Sequence, residues 1–452
     1  MPDRVVPKRP NVLFLMSDEH RADVSGFMGN DTVRTPVLDR LAADGVVFTN
    51  AYTPSPICVP GRQSIMAGQF PSHSGCTSFA RDLAPGHMTY SRRFSQYAYQ
   101  TVACGKLHHL GPDQMMGWNR RMGGDMTVAP QYVEGRDEAS FREYVRPLSE
   151  VKWSDAKEIK RAGVGYSHWS REDDLAVQGA IDFIDEHFVS PQFDRADPGR
   201  PVMLKVSVHT PHYPYQTTAE KFSYYMNRVE PFRDQEVFDH PFLSQRQVRP
   251  GVDASEREIR RAVAAYYGMI ERADELFGQV IDRLEHVGQD LDDWIVIYTS
   301  DHGEMLGEHG IWEKQKFFEG SVRVPLIIRY PKSFGGGTVT QNVNLCDLFA
   351  TMCDLAGIPV PDGLDSRSLV PLLHGETSGW DDETVSQFGP HNLMVKRGDL
   401  KYQWYGPEMP EVLFDLAHDP GELVNVLDRP EYAGALTGLR ARRDALGYGG
   451  ER

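Results

Sequence analysis

Five short apolar runs, separated by helical or loop segments, constrain the fold of this 452-residue chain more than any other feature. The first, NVLFLMS (residues 11–17), is apolar throughout, as a strand buried on both faces is. The others are TVAC before Gly105, VMLKVSV (202–208), WIVIYTS (294–300) and VPLIIRY (324–330). Because such strands alternate with helices, we predict an α/β fold with a large, mostly parallel central sheet flanked by helices.

Two segments between these runs have clear helical signals. TPVLDRLAADG (residues 35–45) begins with Thr-Pro, which favours a helix start, and ends with a glycine. Residues 256–286 carry apolar side chains at helical spacing, which predicts a long amphipathic helix packed across the sheet. Residues 115–170 and 215–255 have weak periodicity, and we expect them to form long loops near a site.

The pattern changes after residue 375. Four short strand candidates, VSQFG, LMVKRG, KYQWYG and VLFDL, follow one another and are succeeded by a terminal helix. We therefore predict a large α/β domain over residues 1–375 and a small C-terminal α+β domain with an antiparallel sheet over residues 376–452.

Composition excludes collagen-like, disordered and disulfide-scaffold proteins. With 40% hydrophobic and 25% charged residues the chain resembles an ordinary globular protein. Its 48 Lys and Arg against 64 Asp and Glu give a formal charge of −16, so we expect neither a nucleic-acid nor a membrane partner. Five irregularly spaced cysteines and the lack of a long apolar stretch predict a soluble, cytoplasmic protein with free thiols.

Reactive side chains directly follow four of the predicted strands. They are, in chain order, Asp18 and Glu19, Lys106 and His108, His209 and His212, and Asp301 and His302. A single Asp after a strand is commonly a helix cap. Ligands of open parallel sheets bind at the carboxyl ends of the strands, however, so four such groups together favour a functional site.

The segment SPICVPGRQSIMAG contains Cys58, Pro60 and Arg62 in a Cys-x-Pro-x-Arg arrangement that we predict to open a helix. Taken alone, it could be a buried thiol before a Pro-Gly turn. At a helix N-terminus, however, backbone donors and the helix dipole favour an anion, and Arg62 adds a fork of donors. The segment therefore indicates an anion site.

Through this segment the chain resembles the formylglycine-dependent sulfatase family of the alkaline phosphatase superfamily. Four further stretches resemble the family's other signatures in order: YQTVACGKLHHLG, TPHYPY, SDHGEMLGEHGIWEKQKFFEGSVRVPLI and LFDLAHDPGELVNV. The stretch GEHGIWEKQKFFEGSVRVPL is particularly similar to choline sulfatase-like members, which are cytoplasmic. The resemblance covers nearly the whole chain and implies that residues 1–375 form a catalytic sulfatase domain.

The resemblance implies hydrolysis of a sulfate ester to an alcohol and inorganic sulfate. A formylglycine-generating enzyme would oxidise Cys58 to formylglycine, and one hydroxyl of its hydrate would attack sulfur. The second hydroxyl would allow the sulfate to be released. Arg62 would orient the hydrate, while Lys106 and Lys314 would hold the sulfate oxygens.

Histidines are expected to move protons in this reaction. His212, by its Pro-His-x-Pro setting, is the candidate general acid for the leaving alcohol, and His108 is the candidate base at the hydrate. His209 matches the family less well, and we expect it to contact substrate together with Lys106, His212 and Lys314.

The implied metal site combines Asp18, Glu19, Asp301 and His302 with the modified Cys58. Three carboxylates and one imidazole suit Ca²⁺ best, with Mg²⁺ or Mn²⁺ as alternatives. The bound cation would neutralise a sulfate oxygen and polarise the hydrate.

Three positions differ from the family's usual pattern. The pair Asp18-Glu19 stands where Asp-Asp is usual, which changes the reach of the second carboxylate. Gly61 replaces the commoner Ser or Ala, and Ala67-Gly68 stands where Thr-Gly is frequent.

We consider two alternative functions. A phosphonate monoester or phosphodiester hydrolase would share the formylglycine, the metal segment and the Lys-x-His turn. A non-catalytic protein that senses a sulfated ligand is disfavoured, because it has no need of a hydrate-forming cysteine. The small sulfated substrate could be a choline, sugar or aryl sulfate, and a homo-oligomer is also open because family members often assemble.

Overall fold

A computed structural model describes residues 9–125, 155–189, 199–232, 239–245 and 247–449. The strands are β1 (Asn11–Asp18), β2 (Val46–Phe48), β3 (Ala51–Tyr52), β4 (Gln100–Gly105), β5 (Arg120–Met122), β6 (Gly163–Val164), β7 (Val202–Pro211), β8 (Gln216–Thr217), β9 (Trp294–Ser300), β10 (Arg323–Val324), β11 (Leu326–Arg329), β12 (Gly337–Val339), β13 (Val343–Asn344), β14 (Glu383–Phe388), β15 (Asn392–Arg397), β16 (Leu400–Trp404) and β17 (Val412–Asp415). The α-helices are α1 (Pro36–Asp44), α2 (Cys58–Ala67), α3 (Pro71–Ser74), α4 (Tyr90–Gln96), α5 (Asp155–Arg161), α6 (His168–Phe188), α7 (Ala219–Met226), α8 (Glu256–His286), α9 (Glu319–Val322), α10 (Leu348–Leu355), α11 (Val370–Leu373) and α12 (Ala433–Ala445).

The central sheet has eight strands in the order β12-β2-β11-β9-β1-β7-β4-β5. The neighbours from β9 to β5 are parallel, whereas β11 is antiparallel to both β9 and β2. The chain between β9 and β11 stays beside the carboxyl end of β1, where Lys314 contacts Glu19, so β11 enters the sheet from that edge and runs back. The predicted α/β fold is confirmed, with VPLIIRY as the antiparallel exception.

β1 is buried on both faces of the sheet. Val12, Phe14 and Met16 pack on one face in a cluster that includes residues of α2, α4 and α10. Leu13 and Leu15 pack on the other face with residues of α1, α6 and α8. Successive side chains of a strand point to opposite faces, so an uninterrupted apolar run is what two covered faces require.

The long helix α8 spans Glu256–His286, as its periodicity predicts. It begins with a capping box, in which Ser255 and Glu258 each accept a hydrogen bond from the other's backbone N–H. The helix packs against α6 and β7. Within the described residues, no helix combines the length and the apolar character needed to span a membrane.

Both predicted long loops contain regular structure, so that prediction was wrong in part. The range 215–255 contains α7, whose first turn is capped by Thr218; two helical turns are too short to give a clear period. The range 115–170 contains β5 and α5, and its residues 126–154 lie outside the described residues.

The C-terminal part forms an antiparallel sheet in the order β14-β15-β16-β17, as predicted. The terminal helix α12 packs on one face of this sheet. The other face packs against Phe317 and Phe318, which precede α9. The small sheet therefore supports the segment that carries Lys314.

Lys205 is a buried amine in the middle of β7. Its Nζ donates a hydrogen bond to Tyr90 Oη over 3.0 Å and lies 4.7 Å from the centroid of the Phe14 ring. Burial, and then the charge of Arg62, lowers the pKa of Lys205 well below its usual value. An unfolded lysine keeps its proton to about pH 10. At Lys205 the unfolded chain therefore binds more protons than the folded chain does. For that reason Lys205 makes the free energy of unfolding rise with pH, up to about pH 10.

We predict that the double variant Lys205→Met, Tyr90→Phe is more stable than the wild type. The change removes both polar partners, so neither is left buried without a hydrogen bond. The free energy of unfolding should rise by about 1 to 3 kcal/mol at pH 7, and the gain should shrink toward pH 10. Urea unfolding at both pH values measures this; a gain that is absent at pH 7, or equal at both, would contradict the prediction.

Candidate active site

The carboxyl ends of β9, β1, β7 and β4, which are adjacent in the sheet, meet at one edge. The predicted residues lie there, as the parallel order requires: Asp18, Glu19, Lys106, His108, His209, His212, Asp301 and His302. Lys314 reaches the same edge from the chain between β9 and β11, and Cys58 reaches it as the first residue of α2.

Arg62 of α2 connects the same four strands. Its Nε donates to Asp301 Oδ2 over 2.7 Å, and its Nη2 donates to Asp18 Oδ2 over 2.9 Å. Its Nη1 donates to the carbonyl oxygen of Lys106 and to Ser207 Oγ, both over 2.8 Å. Burial opposes its charge, but Asp301 and Asp18 raise the pKa of Arg62 above its usual value. The guanidinium thus aligns two carboxylates that were predicted to bind metal.

Cys58 lies one helical turn before Arg62 and begins α2, as predicted. Its Sγ is 3.2 Å from His302 Nε2 and 3.9 Å from Asp18 Oδ1. The side chain is buried. Burial, with the carboxylate of Asp18 beside it, raises the pKa of the Cys58 thiol to about 11.

Two glycines let the backbone approach this site closely. A Cβ at Gly61 would lie 2.9 Å from the carbonyl oxygen of Ser55, which gives a physical reason for glycine at this position of α2. Gly105 has φ +86°, and a Cβ there would lie 2.0 Å from the carbonyl oxygen of Ser207. Only glycine can therefore lead the chain from β4 into Lys106.

Four residues offer a compact set of ligand atoms for a metal ion. One atom each from Asp18, Cys58, Asp301 and His302 lie within 4.8 Å of one another. Two ligands of the same Ca²⁺, each about 2.4 Å from it, can be at most about 4.8 Å apart. His302 Nδ1 donates to the carbonyl oxygen of Gly303 over 3.0 Å, which leaves Nε2 free to bind a cation. The set therefore fits one divalent ion.

Glu19 lies beside this set rather than within it. Its Oε2 is 2.7 Å from Lys314 Nζ and 3.4 Å from His212 Nε2. With Asp18 and His212 it forms a second group of ligand atoms. Its Oε1 is buried and, among the described residues, has no hydrogen-bond partner. That oxygen is the part of Glu19 that can still turn toward a cation.

Two buried lysines are paired with carboxylates at the site. Lys106 Nζ lies 2.6 Å from Asp18 Oδ2, and Lys314 pairs with Glu19. Burial opposes both charges, but Asp18 raises the pKa of Lys106 above its usual value, and Cys58 and Glu19 do the same for Lys314. Both side chains are therefore ammonium groups at neutral pH and can attract an anion.

Two histidines present neutral rings. Burial, followed by the charge of Lys314, lowers the pKa of His212 well below its usual value, and burial with Lys106 does the same for His108. His212 Nδ1 donates to the carbonyl oxygen of Tyr213 over 2.7 Å, so Nε2 faces the site. His108 has a left-handed backbone, with φ 56°, and its buried Nδ1 lacks a hydrogen-bond partner among the described residues.

His209 is in neither group of candidate ligand atoms and contacts Trp169 and Asp173 of α6. Sequence reasoning missed Asp173, because it lies in the middle of a helix and in none of the motifs. It also missed Ser207, a partner of Arg62 within β7. A hydroxyl inside an apolar strand was the one local signal for Ser207.

Comparisons with known proteins agree with this arrangement. Residues 10–358 match the family described as Sulfatase, and residues 307–446 match the one described as N-sulphoglucosamine sulphohydrolase, C-terminal. The choline-sulfatase of Rhizobium meliloti is 30% identical over an alignment of 451 positions, which covers 96% of this chain and 86% of that protein. The arylsulfatase of Clostridium perfringens is 28% identical over an alignment of 464 positions, which covers 96% of this chain and 93% of that protein.

A solved structure shows the same fold. The phosphonate monoester hydrolase of Agrobacterium radiobacter superposes with a TM-score of 0.76 at 24% identity, over 97% of this chain and 95% of that one. At that identity the likeness concerns the fold alone. The family match over residues 10–358 and the similarity to the choline-sulfatase also show the family. This chain belongs to the sulfatase family of sulfuric ester hydrolases and has an alkaline phosphatase-like α/β fold.

Proposed function

We propose that the site around Cys58 hydrolyses a small sulfate ester to an alcohol and inorganic sulfate. The observation that carries this proposal is the position of Cys58 Sγ, 3.2 Å from His302 Nε2 at the start of α2. Membership of the sulfatase family supports the reaction class. Lys106 and Lys314 supply positive charge for the sulfate group at the same edge of the sheet.

Cys58 is, in this proposal, oxidised to formylglycine by a formylglycine-generating enzyme. Its Cys-x-Pro-x-Arg setting supports this. The hydrated aldehyde supplies one hydroxyl for attack at sulfur and a second whose deprotonation allows sulfate to be released. Arg62 keeps Asp18 and Asp301 in place beside this group.

We further propose Ca²⁺ as the metal, with Mg²⁺ or Mn²⁺ as alternatives. Asp18, Asp301 and His302 would hold it, Glu19 could add its unpaired Oε1, and the modified Cys58 would complete the set. Carboxylate oxygens are the ligands that these hard cations prefer. The bound ion would supply positive charge for a sulfate oxygen and for the nucleophile.

Lys106 and Lys314 bind the sulfate oxygens in this mechanism. Their carboxylate partners already hold them in position, so little reorganisation is needed when the ester binds. His108 lies next to Lys106 and is the candidate base at the hydrate. His209 is a further candidate for contact with the substrate.

His212 delivers a proton to the leaving oxygen. Its Nδ1 hydrogen bond to Tyr213 fixes the ring, so Nε2 is the atom that faces the substrate. The negative charge of a bound sulfate ester favours the protonated imidazole that an acid requires.

Three further proposals concern the location of the protein, its oligomeric state and its domain boundaries. We propose a cytoplasmic location, which the cysteines support, because none of the five forms a disulfide. A homo-oligomer remains a proposal, as do the boundaries of the catalytic domain (1–375) and the C-terminal domain (376–452).

Replacing Cys58 with Ala should abolish turnover and leave the fold nearly intact, because it deletes the nucleophile but little packing. In the wild type, the peptide containing Cys58 should be lighter by about 18 Da, since the conversion exchanges sulfur for oxygen and removes two hydrogens. Kinetics and peptide mass spectrometry measure both. Cys353→Ala, on α10, is the matched control and should remain active. Normal turnover by the Cys58→Ala variant would reject the nucleophile assignment.

Asp301→Asn should weaken metal binding and activity together, each by about 10- to 100-fold. One carboxylate that balances the cation is lost, and Arg62 loses a charged partner. Metal content by elemental analysis, and turnover before and after chelation, test this. Asp182→Asn, on the exposed side of α6, is the control. Purified active protein without a divalent ion, and with a rate that chelation does not change, would exclude the metal role.

His212→Ala should slow esters with poor leaving groups far more than esters with good ones. An alkyl alcohol needs a proton as it departs whereas a nitrophenolate hardly does, and general acid catalysis is worth about 10²- to 10⁴-fold. We would measure kcat/KM over sulfate esters of graded leaving-group pKa, with an aryl phosphonate ester for comparison. An unchanged dependence on leaving-group pKa would move the acid role to His108 or His209. Faster turnover of the phosphonate would favour the alternative hydrolase.

A further inference from the structure

Asp173 of α6 is a buried carboxylate whose four contacts come from two consecutive residues. Its Oδ1 accepts a hydrogen bond from the backbone N–H of His209 over 2.5 Å and lies 3.2 Å from His209 Nδ1. Its Oδ2 accepts from the backbone N–H of Thr210 over 3.0 Å and from Thr210 Oγ1 over 2.5 Å. The side chain has no exposed surface. One carboxylate thus holds His209 and Thr210, near the end of β7 where the chain enters the site.

These bonds extend to His212 through the backbone. The N–H of His212 donates to the carbonyl oxygen of His209 over 2.8 Å, which closes a turn over residues 209–212. The ring of His212 is in turn fixed by its bond to the carbonyl oxygen of Tyr213. Asp173 holds the first two residues of this turn, so the place of the His212 imidazole depends on it.

A second contact from the same helix restrains His209. Its ring stacks on Trp169, with centroids 4.5 Å apart and planes 14° from parallel. Trp169 and Asp173 are four residues apart, so both lie on one face of α6. The helix packs along β7. We call Trp169 and Asp173 the turn clamp.

The chemistry of Asp173 argues that the clamp has a purpose beyond packing. A buried carboxylate is costly unless hydrogen bonds satisfy it, and an apolar residue here would leave the donors of this turn buried without an acceptor. Here the donors are two backbone N–H groups, a hydroxyl and an imidazole, all from His209 and Thr210. The carboxylate therefore specifies one conformation of this turn.

We propose that Asp173 is a positioning residue for proton transfer to the leaving group. It sets the place of His212 by holding His209 and Thr210, and it touches neither substrate nor metal itself. This inference rests on the proposed function, in which His212 is the general acid.

The kinetic test uses Asp173→Asn. The amide keeps one acceptor oxygen but turns an NH₂ group toward N–H and O–H donors, which disrupts the clamp. We expect kcat/KM for an alkyl sulfate to fall by about 10- to 100-fold, and that for nitrophenyl sulfate to fall much less. In a His212→Ala background the same change should have little further effect, because both act through one step.

The control is Asp174→Asn. Asp174 is the next residue on α6, and its carboxylate pairs with Arg272 instead of the turn. This variant should leave both rates unchanged. Thr210→Val removes a single hydrogen bond of the clamp and should give the same selective loss on a smaller scale. It serves as the test should Asp173→Asn fail to fold.

Hydrogen–deuterium exchange gives a readout that does not need activity. The backbone amides of His209 and Thr210, which donate to Asp173, should exchange at least about tenfold faster in Asp173→Asn, since their acceptor is disturbed, and at the wild-type rate in Asp174→Asn. Equal losses on both esters, or unchanged exchange, would overturn the positioning role while leaving the sulfatase proposal in place. A wild-type enzyme without activity on any sulfate ester would overturn both.

Discussion

The buried guanidinium of Arg62 is the interaction on which the rest of the site depends. Its donors reach the ends of β9, β1 and β4 and a hydroxyl within β7, and its helix begins with Cys58. The sheet edge and the thiol are thereby held as one rigid unit. Loss of either carboxylate partner, Asp18 or Asp301, would leave a buried charge unbalanced, which is commonly worth several kcal/mol. The proposed metal ligands and the proposed nucleophile therefore share a single electrostatic support.

Local sequence patterns were sufficient to predict the fold class and much of the candidate site. Apolar runs report burial on both faces, and parallel strands bring their carboxyl ends together, so Asp18 and Asp301 could be placed near each other without a structure. The direction of β11 could not be predicted, because it depends on the path of the preceding chain around Glu19. The short helix α7 was missed because two turns carry almost no periodicity.

The parts of the site that escaped prediction are those whose role depends on tertiary contacts. Asp173 lies inside a helix with no local signal of a polar partner, and Ser207 lies inside a strand, where its hydroxyl among apolar residues is the one local signal. Glu19 was correctly placed at the edge, but its side chain pairs with Lys314 beside the proposed metal ligands. Its left-handed backbone, with φ 69°, is another feature that only neighbouring structure can impose on a non-glycine residue.

The central place of β1 has a consequence for the timing of folding. β1 pairs with β9, which ends at Ser300, so the sheet cannot close until that residue has been synthesised. Roughly 240 residues separate Cys58 from Ser300, and at about 5 to 20 residues per second their synthesis takes about 12 to 48 s. Cys58 is only 2% exposed once folded. This interval on the ribosome is therefore when its thiol is exposed to the proposed modification.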